Sequence, residues 1–146
     1  MSIFSFVKEA GEKLIDLLTP GNANASEQLK DHVAKVGLGN PNVQTTVDGD
    51  KVTVTGEVAS QEEKEKILLA LGNIAGVASV DDQITVTGPA AAAARFVTVA
   101  KGDTLSAISK REYGDANKYQ KIFEANKPLL SHPDKIYPGQ VLRIPE

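Results

Sequence analysis

The chain contains no cysteine. Disulfides, thiolate metal sites and cysteine nucleophiles are therefore excluded. Histidine is scarce: the two residues, His32 and His132, lie in unrelated segments. A structural zinc site needs about four N, S or O ligands, so zinc is not expected. There is no basic surplus, because 16 Lys and Arg against 19 Asp and Glu leave a net charge of −3. Affinity for nucleic acid is dominated by Lys and Arg neutralising phosphates, so no nucleic-acid partner is expected. No apolar run approaches the roughly 20 residues of a membrane span. Lys8, Glu9, Glu12 and Lys13 interrupt the N-terminal MSIFSFVKEAGEKLIDLL, which lacks the continuous apolar stretch of a secretory signal. The expected compartment is the cytoplasm. Nothing resembles Gly-x-Ser-x-Gly, a P-loop or a dinucleotide fingerprint, and no enzymatic activity is expected.

What is present is enough for one ordinary domain or two small ones: 146 residues, 41% of them apolar. Phe4, Val7, Leu14, Ile15 and Leu18 sit at helical spacings, which predicts an amphipathic helix over 3–18 within an N-terminal segment 1–21. A second helix is predicted from Glu27 to Val36, with Ser26 as N-cap and Gly37 as the stop. Val43, Thr45 and Val47, then Val52 and Val54, alternate with polar residues as strands do. Asp48-Gly49 between them suits a tight hairpin turn. Ser60 and Glu63 have capping-box spacing, and Ile67, Leu68 and Leu71 give the next helix an apolar face. Residues 78–87 read as a further strand. The order α-β-β-α-β suits helices laid on one face of a small sheet.

Gly88-Pro89, five alanines and Arg95 form a linker over 89–95, since nothing there buries a face. The last segment, 96–146, reads β-α-α-β. Val97 and Val99 form a strand, Thr104 caps a helix from Leu105 to Glu112, and Gly114 ends it. A second helix covers Ala116 to Asn126, and Gln140 to Ile144 closes the unit. The fold class expected is α+β in two small domains, 22–88 and 96–146.

Two resemblances attach to these patterns. Gly49, the run Val52-Thr53-Val54-Thr55-Gly56-Glu57-Val58 and the stretch from Gly72 to Val80 resemble the BON domain. Lys101-Gly102-Asp103-Thr104-Leu105, Ile108, Asn126 and Ile136-Tyr137-Pro138-Gly139-Gln140 resemble the LysM domain. The latter resemblance implies a groove for N-acetylglucosamine polymers between the Gly102–Leu105 turn and the Asn126–Gly139 loop. The contacts it implies, to a glycan or a protein, involve Gly102, Asp103, Thr104, Leu105, Tyr137 and Gly139. The whole arrangement, with SIFSFVKEAGEKL, GNIAGVASVDDQ and DKIYPGQVLRIP, resembles a family of bacterial cytoplasmic potassium-binding proteins. That resemblance implies a soluble K⁺ sensor that changes shape on binding the ion.

Potassium is weakly hydrated, and proteins select it with backbone carbonyl dipoles. Helix C-termini leave such carbonyls without intrahelical donors. The loop Gly72-Asn73-Ile74-Ala75-Gly76-Val77 follows a helix end, and the first helix is interrupted near Gly11. The expected ligands are the carbonyls of Val7, Ala10, Gly72, Ile74 and Val77. Calcium would require a carboxylate-rich loop of about 6–8 oxygens. Asp48, Asp50, Asp81 and Asp82 lack that spacing and read as a solvated face. His32, His132 and the charged run Glu62-Glu63-Lys64-Glu65-Lys66 also read as surface. A peptidoglycan-binding protein of the envelope is the alternative function, and a monomer is the expected state.

Overall fold

A computed structural model describes residues 2–6, 25–38, 42–48, 50–74, 77–89, 94–127, 129–130, 132–133 and 135–145. The first module is a mixed sheet with helices packed on it. Strand β2 (Val43–Asp48) and strand β3 (Lys51–Val58) form an antiparallel hairpin that Asp48 and Lys51 close. Helix α2 (Gln61–Gly72) then carries the chain to β4 (Ser79–Val86), which runs parallel to β3. At Gly56, opposite Val43, φ is +141°, and a Cβ would collide with the Asn42 carbonyl. Glycine there lets the two backbones close up.

Helix α1 (Ala25–Val33) starts earlier than the sequence pattern suggests, so Ser26 lies inside it. It runs on as a wider π-type turn over Ala34–Leu38, past the expected stop at Gly37. Ser60 caps α2 as expected, its hydroxyl accepting from the Glu63 N–H at 3.1 Å. Leu29, Val33, Val52, Val54, Ile67, Leu68, Leu71, Val80 and Ile84 form the core beneath both helices.

The N-terminus differs from expectation. Ser2–Ser5 form a strand, β1, antiparallel to β4, where the pattern suggested the start of a helix. Residues 7–18 of that expected helix, Val7 and Ala10 included, lie outside the described residues. The physical reason is the sheet edge: β4 presents unpaired main-chain groups, and a strand satisfies them all at once. The strand order among the described residues is β1-β4-β3-β2.

The second module is smaller. Strand β5 (Arg95–Thr98) pairs antiparallel with β6 (Val141–Ile144), so Arg95, read as the end of the linker, opens a strand. Helix α3 (Leu105–Tyr113) is capped by Thr104, whose hydroxyl accepts from Ala107 N–H. A 3₁₀ turn, Ala116–Lys118, leads into α4 (Tyr119–Ala125). Val99, Leu105, Ile108, Ile122, Leu130, Leu142 and Ile144 build a separate core. The α+β class and the two element orders, α-β-β-α-β and β-α-α-β, are as expected.

Candidate functional site

Helix α2 ends where the Asn73 N–H reaches the Leu69 carbonyl at 2.9 Å. Among the described residues this is the last donor of the helical ladder, and the carbonyls of Ala70, Leu71 and Gly72 lie beyond it. Ile74 and Val77 are fully buried, and the Val77 N–H donates to the Ile74 carbonyl at 3.1 Å. Phe6 closes the loop from the other side. Its N–H donates to the Ala78 carbonyl at 2.9 Å, and a Cβ on Gly72 would fall on its ring. Glycine at 72 is thus what lets the N-terminal segment approach the helix end. Gly72 thus lies against Phe6, and Ile74 is joined to Val77 by a hydrogen bond; Val7 and Ala10 lie outside the described residues.

The same helix end touches the second module. The Asn73 amide donates to the Val141 carbonyl and accepts the Val141 N–H, both at 2.9 Å. About two turns back along α2, Glu65 is only 2% exposed. Its Oε1 accepts from Arg143 Nη2 at 2.8 Å and Nε at 3.1 Å. Its Oε2 accepts from Ala94 N–H at 2.8 Å and the Gln61 amide at 3.1 Å. Arg143 also donates to the Ala125 carbonyl at 2.9 Å. This corrects the reading of Glu62–Lys66 as surface charge. Glu62 does fit that reading, pairing with Lys66 at 2.9 Å. The Lys66 hydrogen bond, more than its charge or that of Arg143, holds the Glu62 carboxyl below its ordinary range despite some opposing burial.

Other expectations change too. Asp82 is not solvated; it is buried, pairs with Lys64 at 2.9 Å and accepts the Ile84 N–H at 2.9 Å. Asp81 turns the other way, toward Lys51 at 3.8 Å, so the two do not converge. His32 is buried beneath α1 and is not a surface residue, whereas His132 is exposed. Among the described residues, no group of three or more His, Asp or Glu is placed to hold a metal.

In the second module a cleft of about 330 Å³ is lined by Thr104, Leu105, Ser106, Tyr119 and Pro133. Thr104 and Leu105 were expected there, but Ser106 and Tyr119 were not. Asn126 is no groove residue: it is fully buried and its amide is spent on Ile122 and Arg143. Asp103 accepts the Ala100 N–H at 3.0 Å within the turn before α3, a turn that Gly102 shares. Tyr137 and Gly139 shape the turn into β6, where the Gly139 N–H reaches the Val99 carbonyl at 2.8 Å.

The fold therefore defines a two-module protein, and the family models agree. The BON domain model matches residues 22–88 and the LysM domain model residues 97–145. The chain is 57% identical over 150 residues to the Potassium binding protein Kbp of Escherichia coli O6:H1, spanning 100% of this chain and 99% of that protein. It belongs to that family. An uncharacterized protein of Deinococcus radiodurans is 34% identical over 118 residues, covering 74% of this chain and 46% of its own. The uncharacterized protein YqbP of Bacillus subtilis is 37% identical over 67 residues, covering 40% and 31%. Among the described residues, no helix is long and apolar enough to cross a membrane.

Proposed function

We propose that this chain is a cytoplasmic, monomeric K⁺-binding protein that changes conformation on taking up the ion, and that it is not an enzyme. The ligands are the backbone carbonyls of Val7, Ala10, Gly72, Ile74 and Val77. The segments 1–21 and 22–88 act as N-terminal arm and ion-binding module, 89–94 as linker, and 96–146 together with Arg95 of β5 as reporting module. The name of the Escherichia coli relative, a potassium binding protein matched along the whole chain, supports the ion. The observation that carries the site is Phe6: its ring seats on Gly72 and its N–H bonds Ala78. The residue before Val7 is thereby held against the loop that bears the other three carbonyls.

The donors suit the ion. Neutral main-chain oxygens replace the hydration shell of a monovalent cation without the charge density that draws Ca²⁺ or Mg²⁺. Burial of Ile74 and Val77 keeps water from competing. Selectivity then rests on the number and spacing of the carbonyls. The test is titration calorimetry with K⁺, Rb⁺ and Na⁺ at equal ionic strength. K⁺ and Rb⁺ should give saturable heats and Na⁺ little; equal responses to all three would remove the idea.

The cleft beside Tyr119 favours a second reading, a glycan-binding protein. Tyr119 is 37% exposed, and an aromatic face beside the Thr104 and Ser106 hydroxyls suits a sugar ring. Sedimentation with peptidoglycan separates the two: pull-down that survives in the absence of K⁺ favours the glycan.

A further inference from the structure

Strand β6 belongs to a two-stranded sheet, and its residues Leu142 and Ile144 pair with Val97 and Arg95 of β5. In such a ladder, alternate residues turn their main-chain groups to the other edge. Those residues are Val141 and Arg143. Each is met there by a side-chain amide that donates to its carbonyl and accepts its N–H. Asn126 serves Arg143, at 3.0 and 2.9 Å. Asn73 serves Val141, at 2.9 Å in both directions. The two asparagines stand in for a third strand, one supplied by each module. Asn73 is also the cap of α2, adjacent to Gly72 and Ile74.

We propose that Asn73 is a positioning residue that couples the conformation of the α2 end, Gly72 to Ile74, to docking of the second module. This rests on the K⁺ reading above. The amide of Asn73 meets Val141 squarely only when the end of α2 holds one backbone arrangement. An ion gathering the carbonyls on either side of Asn73 favours that arrangement. Binding therefore strengthens docking, and by reciprocity docking strengthens binding. Asn126 does the same chemistry within its own module and is insensitive to the ion.

The test compares two amides on one strand by NMR-detected hydrogen exchange of the full chain in K⁺ and in Na⁺ at equal ionic strength. Typical couplings alter affinity 5- to 150-fold. We expect K⁺ to slow exchange at Val141 by about tenfold on that scale and to leave Arg143 unchanged. In Asn73→Ala, the K⁺ response at Val141 disappears and calorimetric K⁺ affinity falls by about tenfold. The wild-type comparison decides by itself if that variant folds poorly. If calorimetry records K⁺ binding while Val141 fails to respond, or responds no more than Arg143, the coupling is overturned and the ion site stands. If wild-type protein gives no K⁺ heat, both readings fall together.

Discussion

Asn126 and Asn73 hold one edge of one strand two residues apart, with the same pair of hydrogen bonds, yet they belong to different kinds of structure. Asn126 is fully buried and also donates to the Ile122 carbonyl at 2.8 Å. It completes a module. Asn73 is partly exposed and reaches Val141, 68 positions further along the chain. It joins two modules. A buried amide that loses its partners strands groups that water cannot reach, whereas a boundary amide releases a surface that water can solvate. Identical geometry therefore predicts loss of fold at one site and loss of assembly at the other.

The largest effect tests the ground between them. Arg143 donates through its guanidinium to Glu65 and through its N–H to Asn126. Arg143→Met leaves the Glu65 carboxylate buried opposite an apolar group, and breaking one side of a buried pair costs about 3–5 kcal/mol. Urea denaturation should record that loss. The double variant Glu65→Leu/Arg143→Met should recover most of it, since a well-packed apolar replacement is often neutral. A single-variant loss below about 1 kcal/mol would mean that water enters the junction. Asn126→Ala comes next. It strands the Arg143 N–H, its carbonyl and the Ile122 carbonyl, at about 1–3 kcal/mol for an unmet buried group. Asn73→Ala in the same assay should cost about 1 kcal/mol, the value of an ordinary hydrogen bond. Equal losses at the two asparagines would break the comparison.

The sequence carries the elements better than it carries this junction. Caps at Ser60 and Thr104 and the alternation through Val43–Val58 are local signals, and the structure keeps them. The N-terminal strand is not local. Ile3-Phe4 beside Phe6 is a short apolar run that periodicity cannot assign to helix or strand, and pairing with β4 decides it. One signal of the junction was present in the run Ile67-Leu68-Leu69-Ala70-Leu71-Gly72. An amphipathic helix covers one surface, but a helix end that is apolar all round is buried on every side. Leu69 and Ala70 therefore announce a second surface, and Val141 lies in the same cluster. Nothing marks Asn73 or Glu65 as long-range partners, because an asparagine after a helix and a glutamate in a charged run have ordinary local explanations.

A substitution at Gly72 addresses the loop while sparing the β6 edge. In Gly72→Ala the new methyl falls on the Phe6 ring, and overpacking of this kind costs about 1–3 kcal/mol. K⁺ affinity should fall as well, because Phe6 can no longer hold the chain before Val7 against the loop. Trimming the ring in Gly72→Ala/Phe6→Leu should restore stability but not affinity. Recovery of both would mean that Phe6 fills space without positioning the arm.

The smallest effect sits at the rim of the same junction. Glu62 pairs with Lys66 and lies 3.9 Å from Arg143, with its side chain 58% exposed. Its carboxyl titrates below the usual range, chiefly because Lys66 hydrogen-bonds the ionised form. A group whose folded pKa is depressed adds stability above its unfolded value and loses it as the pH falls through the folded one. The contribution of Glu62 is thus complete above about pH 4.3, the ordinary glutamate value, and fades below it. Solvent screening limits an exposed pair one helical turn apart to about 0.3–0.5 kcal/mol. Urea midpoints of wild type and Glu62→Gln should accordingly differ slightly at pH 7 and converge toward pH 3. A difference that persists at pH 3 would assign the role of Glu62 to packing against Arg143 and not to its charge.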